Sequence, residues 1–551
     1  MLAWIFQRAY RMQVSLSVCG EWGSNLPPAV LDFPLSRLCY AAHPEDAAEA
    51  GSAGFPAWLN RQLDPKIRSD ADLDARLRAI KLQIKYPAGN GEMTPGGQPK
   101  NWAAMDEMRP LTYLGAPIEK AWGLLDPKVA HPHEEQVRPE QEVMAATVFR
   151  AAHSRAQVYE QMVAFWHDHF NVLATDDRKI GCALPAYDRD AIRPHALGNF
   201  RDLLEAVAKS PAMLVYLSNV SSRAGAANEN YGRELMELHT LGRDAYLNDH
   251  YDRWRNVPGA LEGKPQGYID EDVYEAARAF TGWTIENGQR LDAATELPRT
   301  GKFIYIEGWH DGYQKRVLAT EFEPFAPPMA DGRKVLDLVA FHPATARFLS
   351  LKLCRRFVSD TPPQSLVDSA AKVWAENAKK PDQIAQVVRH IALSKEFAAS
   401  RGQKPRSPLA LAVSFAQATG IDLVPTQPLF HQLNLCGQRL FGWATPDGRP
   451  TSAEYYFTPE FLRERWVLVT RLAANAWKTG EPKALKLDKG APKSGDLAAH
   501  WLQVFAGANA NAKAKVFLAD LGLNPAQPVT DEKRIAYIAG LCAAAPQFQL
   551  T

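Results

Sequence analysis

The chain is 551 residues long, enough to bury one large core or several smaller ones. Its hydrophobic fraction of 46% and charged fraction of 23% are those of a globular protein, and a net charge of +1 gives no electrostatic basis for binding nucleic acid or an anionic membrane surface. No apolar run is long enough for a membrane span. Cys19, Cys39, Cys182, Cys354, Cys436 and Cys542 are scattered without a Cys-x-x-Cys, which indicates neither a zinc ribbon nor a dense disulfide scaffold.

In chain order, residues 1–30 read as an irregular leader. The apolar start is cut off by Arg8 and Arg11, and the run from Val14 to Val18 is short for a signal sequence. Residues 31–130 form an N-terminal region of helices and loops. Within it 31–85 read as short helices, with Phe55, Leu59 and Leu63 on one face, and the Gly- and Pro-rich stretch 86–105 reads as a loop. Residues 131–477 read as a helical core. It holds one long helix or two over 140–173, a helix over 196–220 interrupted near Pro211, and another over 228–242. An insertion follows at 245–268. Asp270-Glu-Asp272 gives an acidic first turn to a helix running to Phe280. Residues 300–332 mix Gly, Pro and aromatics with some alternation, as a small β-hairpin does. Residues 341–399 and 407–420 have helical period, with His342-Pro343 at a helix start. A Lys-rich linker at 478–495 leads to a C-terminal helical segment, 496–551. The fold class is mainly α: a large multi-helical body with a small β-hairpin or irregular region. No Gly-x-Gly-x-x-Gly, P-loop or Gly-x-Ser-x-Gly is present, which argues against nucleotide binding and against an α/β hydrolase.

The densest chemistry lies in Asn228-Glu-Asn-Tyr-Gly-Arg-Glu-Leu-Met-Glu-Leu-His-Thr-Leu-Gly242. At helical spacing Asn230, Glu234, Glu237 and Leu241 share one face, His239 points away with Leu235 and Met236, and Gly242 stands at the C-cap. A second cluster is Phe165-Trp-His-Asp-His-Phe-Asn171, where Val158, Met162, Phe165, Trp166 and His169 form one stripe. His167 and His169 point apart on a regular helix and do not make a metal pair. Bland readings stand beside these: His169 as a buried histidine bonded to a backbone carbonyl, and Arg233 with Glu237 as an ordinary helical ion pair. His310-Asp311 is a further pair of candidate ligand or base groups in a loop. Arg278, inside an apolar helix, needs a carboxylate, and Glu234 or Glu237 is the expected partner.

Several segments in order resemble the bacterial family called domain of unknown function 1800. They are Phe165 to Asn171, Ile192-Arg-Pro-His-Ala-Leu-Gly-Asn-Phe-Arg201, Ser210-Pro-Ala-Met-Leu-Val-Tyr-Leu217, the 228–242 stretch, Ala276-Ala-Arg-Ala-Phe-Thr-Gly-Trp283, Phe341-His-Pro-Ala-Thr-Ala-Arg-Phe-Leu349, Pro446-Asp-Gly448 and Arg465-Trp466. Asp168 stands where the family pattern has asparagine, and Ser218 where it has aspartate. His169, Glu234, Glu237 and His239 match. The resemblance implies a mostly helical and often exported, periplasmic protein, and supplies no reaction.

These residue types lead to an enzyme of unassigned reaction with its site between helices. His169, Asn230, Tyr231, Arg233, Glu234 and Arg278 are the expected catalytic groups. His169, Glu234, Glu237 and His239 are the expected ligands if the enzyme is a metal-dependent oxidoreductase or hydrolase with a divalent or iron centre. One alternative is a metal-free glycan-processing enzyme, since His, Tyr, Asn and Arg serve proton abstraction. The other is a non-catalytic secreted or assembly protein locked by buried polar networks. The expected partner is a small molecule or glycan, with no nucleic acid and no membrane span.

Overall fold

The computed structural model describes residues 33–551 except 95, 292–293, 486–491, 507–515 and 520. The leader at 1–30 and the middle of the Lys-rich stretch lie outside the described residues. Helices make up most of the rest, and the strands pair only as antiparallel two-stranded sheets, so the fold is mainly α. Among the described residues no helix is long and apolar enough to cross a membrane.

The expected long helix over 140–173 is two: α1 (Arg138–His153) and α2 (Gln157–His169). The break is at Ser154, whose backbone is extended. α1 is apolar on more than one side, as a helix wedged between two cores must be. Its Val143 joins a first core built from residues 35–397, while Ala145, Val148 and Ala151 join a second core that gathers residues 409–473 with 498–548. The stripe of α2 is buried as its period predicts, with Val158, Met162 and Trp166 fully enclosed and Phe165 nearly so.

The sequence reading placed helix and loop where a hairpin lies. β1 (Lys81–Tyr86) pairs with β2 (Met105–Pro110), Lys81 opposite Pro110. In β1, Leu82, Ile84 and Tyr86 are buried and the three residues alternating with them are exposed, a period of two in a run too short to stand out beside helices. The Gly- and Pro-rich loop is real but narrower, and it joins these strands. The hairpin is tied down by Arg138 at the start of α1. Arg138 pairs with Glu142 at 3.1 Å, both wholly buried, and donates to the carbonyls of Leu82 and Arg109. Glu142 in turn accepts from the backbone of Tyr113 and Leu114.

Further along, α3 (Arg178–Ala186) and α4 (Glu229–Glu234) each continue into a π-helical stretch. α5 (Asp270–Ala279) opens on the expected acidic turn, where the Asp272 carboxylate accepts from the backbone of Ile269. β3 (Trp283–Asn287) pairs with β4 (Arg299–Tyr305), and β5 (Lys315–Val317) with β6 (Thr320–Phe322), so the expected hairpin region holds parts of two. His342 caps α6 (Pro343–Phe357) by accepting from Ala344, as its position before Pro343 suggested.

Arg138→Ala is expected to cost about 3–5 kcal/mol, since it leaves Glu142 buried without its cation. Chemical denaturation measures the loss, and faster amide exchange in residues 81–110 than elsewhere would locate it. An unchanged denaturation midpoint would mean that the hairpin does not hang on this pair.

Candidate functional site

Two departures from regular helix bear on the motif clusters, one packed against 165–171 and one inside 228–242. α3 runs into a π-helix over Tyr187–Ile192, with Pro185 just before it and Pro194 just after, each removing a donor from the backbone ladder. α4 runs into another over Leu235–His239. A π stretch fits one more residue into a turn and re-aims the side chains around it, and such stretches recur at functional sites.

The first π stretch turns Asp188 towards α2. There Asp188, 1% exposed, receives His167 Nε2 at 3.0 Å, Arg193 at 2.8 Å and Arg150 at 3.5 Å. Arg193 reaches on to Glu160 with both terminal nitrogens, at 3.1 and 2.9 Å. Burial alone would raise the Asp188 carboxyl, but Arg193, His167 and Arg150 outweigh it and hold it well below the usual carboxylate range. Arg193 answers in kind: burial disfavours its charge, yet Asp188 and Glu160 keep it protonated.

This chain of charges forms one wall of a cleft of about 620 Å³, counting its open mouth. The opposite wall comes from residues 438–449. Asp168 bridges the two walls through Arg449 at 2.9 Å, and Asn171 holds the carbonyls of Trp443 and Thr445. Gly448, at φ +81°, lets the loop lie directly against the carbonyl of Asp168, where a Cβ would collide with backbone. Phe441 has a left-handed backbone, φ 53°, and stands edge-on to His167 with ring centres 5.0 Å apart. A bulky residue in that region is strained, and strain of this kind gathers where a site is pre-shaped. Burial pushes the Tyr40 hydroxyl in the same cleft up to about 12, which keeps it a proton donor. Among the described residues nothing bonds His167 Nδ1, and it is not sealed from the cleft.

The residues singled out from sequence fall in three places. His169 and His239 come together, both 1% exposed, with ring centres 6.1 Å apart and His169 Nε2 3.1 Å from the carbonyl of His239. Burial, and then Lys352, lower His239 to about 3 and His169 well below its ordinary value, so both stay neutral. Glu234 and Glu237 lie outside this pair. Glu237 binds Arg243 at 2.5 Å, while burial and then Glu237 raise Glu234 to about 6. Asn230 donates to the Leu217 carbonyl at 3.4 Å, Arg233 pairs with Asp270 at 3.3 Å, and Tyr231 is buried edge-on to Phe280. Among the described residues no group of three or more His, Cys, Asp or Glu side chains is placed to hold a metal ion, so the four expected ligands do not converge.

Arg278 does not pair with Glu234 or Glu237. Its partners are Glu275, one turn back on α5, and Asp311, each at 2.8 Å, and the side chain is a quarter exposed rather than buried. His310 takes the other half of the loop pair, meeting Asp331 at 3.2 Å. Asp188, Glu160, Tyr40, Arg439 and Phe441 join the cleft without having stood out in the sequence, and His167 does so although its spacing to His169 makes no metal pair. A pairing across segments leaves no local pattern. The one sequence signal was a polar Asp188-Arg-Asp190 inside a helix otherwise rich in apolar residues.

The neutral histidine pair has a pH signature. Its folded pKa values lie below the unfolded value of roughly 6.5, so below that pH the unfolded chain binds more protons and the folded state loses stability. Glu140, raised to about 7 by burial, and Asp272, raised to about 6 by burial, act in the opposite sense, as does Glu234. Comparison with His239→Phe isolates the histidine. From about pH 6 down to about pH 4 the wild type is expected to lose about 1.4 kcal/mol per pH unit relative to the variant, read from urea midpoints. Parallel profiles would show that His239 charges freely in the folded protein.

Comparison with curated proteins gave no match, and comparison with solved structures gave none either. A family model does match, over residues 34–550, and the chain belongs to the family described as protein of unknown function (DUF1800).

Proposed function

We propose that the cleft between α2 and residues 438–449 is the active site of an enzyme that works by proton transfer on a hydroxyl-rich, negatively charged substrate, an acidic glycan being the class that fits. The observation that carries this reading is the His167–Asp188 pair. Asp188 accepts from Nε2 at 3.0 Å and fixes the ring, so Nδ1 is the nitrogen left to take a proton in the cleft that His167 lines. Tyr40 on the same cleft is a protonated hydroxyl, the complementary donor for a leaving oxygen. Arg439, also lining it, among the described residues hydrogen-bonds only the Thr175 hydroxyl, at 3.3 Å, and pairs with no carboxylate, which leaves it available to a substrate anion. The rings of Phe441 and Trp443 offer apolar faces for a sugar. This is the metal-free, glycan-processing form of the enzyme expected from sequence, with its centre moved from His169, Asn230, Tyr231 and Arg233 to His167, Asp188 and Tyr40.

The test is a panel of uronate-containing and sulfated polysaccharides, read by new reducing ends. The wild type is expected to cleave at least one of them. His167→Ala and Tyr40→Phe are each expected to lower kcat by roughly 10²–10⁴-fold with the melting temperature retained. A wild type that cleaves none of them, or a His167→Ala protein as active as the wild type, would overturn the proposal.

A further inference from the structure

A second cleft, reached by α2 through Gln161, carries among the described residues an excess of cations that the proposed reaction does not use. It encloses about 440 Å³, counting its mouth, and its lining includes Arg37, Arg356, Lys404 and Arg406 and no acid. Three of these are deeply buried, Arg37 at 6% exposure, Lys404 at 4% and Arg406 at 2%. The nearby carboxylate is Asp360, which Lys404 holds and which also accepts from the backbone of Ala453.

Each cation has a different role. Arg37 spends all its donors on the carbonyls of Phe357, Val358, Ser400 and Thr551 and on the hydroxyls of Ser400 and Thr551, so it contributes field rather than hydrogen bonds. Among the described residues the Arg356 side chain has one hydrogen bond, to Gln161 at 2.6 Å on α2, which leaves most of its planar donor fork for a ligand in the cleft. Lys404 donates to Asp360 and to the Thr451 carbonyl and has one proton left. The buried Ser36 hydroxyl adds a neutral donor on the same lining. The cations strain one another. Burial and then Arg406 lower Arg37 to about 9, and burial lowers Lys404 against the pull of Asp360. Buried like charges without enough counter-charge are costly, and a bound anion relieves that cost.

We infer that this second cleft is a binding site for a small oxyanion, a phosphate, sulfate or carboxylate group, gripped by Arg356, Lys404 and Ser36 in the field of Arg37 and Arg406. The inference stands on this cleft alone and is independent of the reaction proposed for the first.

The test is isothermal titration of the full chain with inorganic phosphate, sulfate and acetate, ionic strength held constant with sodium chloride. Saturable binding of phosphate or sulfate is expected, and acetate binding best would assign the site to a carboxylate. Arg356→Gln, which removes the half-buried donor and leaves the Arg37 anchor intact, is expected to weaken binding about tenfold or more, the loss of a charge-assisted hydrogen bond. Arg439→Gln, in the first cleft, is expected to bind as the wild type does. No saturable binding of any of the three ions would overturn the inference, as would Arg356→Gln binding like wild type or Arg439→Gln abolishing it.

Discussion

A guanidinium that is only 12% exposed has to be answered by carboxylates, and the candidate site grows from how Arg193 is answered. Its partners are Glu160, early in α2, and Asp188, in the π stretch after α3. Satisfying both fixes the distance between α2 and that stretch. Asp188 then has an oxygen to spare for His167, one turn from the end of α2. The same contacts that make the buried charge tolerable therefore orient an imidazole with one nitrogen bound and one open. Removing either carboxylate would leave Arg193 under-compensated, and removing Asp188 would also leave His167 free to turn, so packing and chemistry cannot be separated at this point.

Close backbone approach explains why the family motifs are dense in glycine. A Cβ on Gly232 would lie 2.9 Å from the carbonyl of Val273, so α4 rests on α5 through that position. Gly242, at φ +87°, donates to the carbonyl of Met236 and meets the ring of Phe348, where a Cβ would come within 2.7 Å. Gly448 does the same for the cleft wall against Asp168. The 228–242 motif, the richest in polar residues, is thus also a packing motif. Its His239 is buried with neither ring nitrogen partnered among the described residues, and its Glu237 is occupied by Arg243. The 165–171 and 446–448 motifs border the cleft instead, through His167, Asp168, Asn171 and Gly448.

What the sequence made legible was what helical period and capping dictate: the stripe of α2, the acidic turn of α5 and the cap at His342. The bland reading of His169, a buried ring on a backbone carbonyl, matches its bond to His239. Strands were missed at Lys81–Tyr86, where six residues alternate between longer helical patterns. Angles counted at 3.6 residues per turn lose their meaning through Leu235–His239 and Tyr187–Ile192, where the helix widens. Of the two partners of Arg278, Glu275 is an i, i+3 neighbour within reach of helical spacing, whereas Asp311 is 33 residues away and reached only by the fold. Most of the cleft was invisible for the same reason: Tyr40, His167, Asp188 and Phe441 come from four separate segments, and only His167 lay inside a recognisable cluster.

The central claim is that Asp188 holds His167 by Nε2 and leaves Nδ1 bare towards the cleft. Nitrogen-resolved magnetic resonance of the imidazole, assigned through His167→Gln, reads the tautomer directly. The account predicts that neutral His167 carries its proton on Nε2, and that Asp188→Asn shifts both ring nitrogens while the other histidines stay in place. A neutral ring with its proton on Nδ1, or one indifferent to Asp188→Asn, would contradict it.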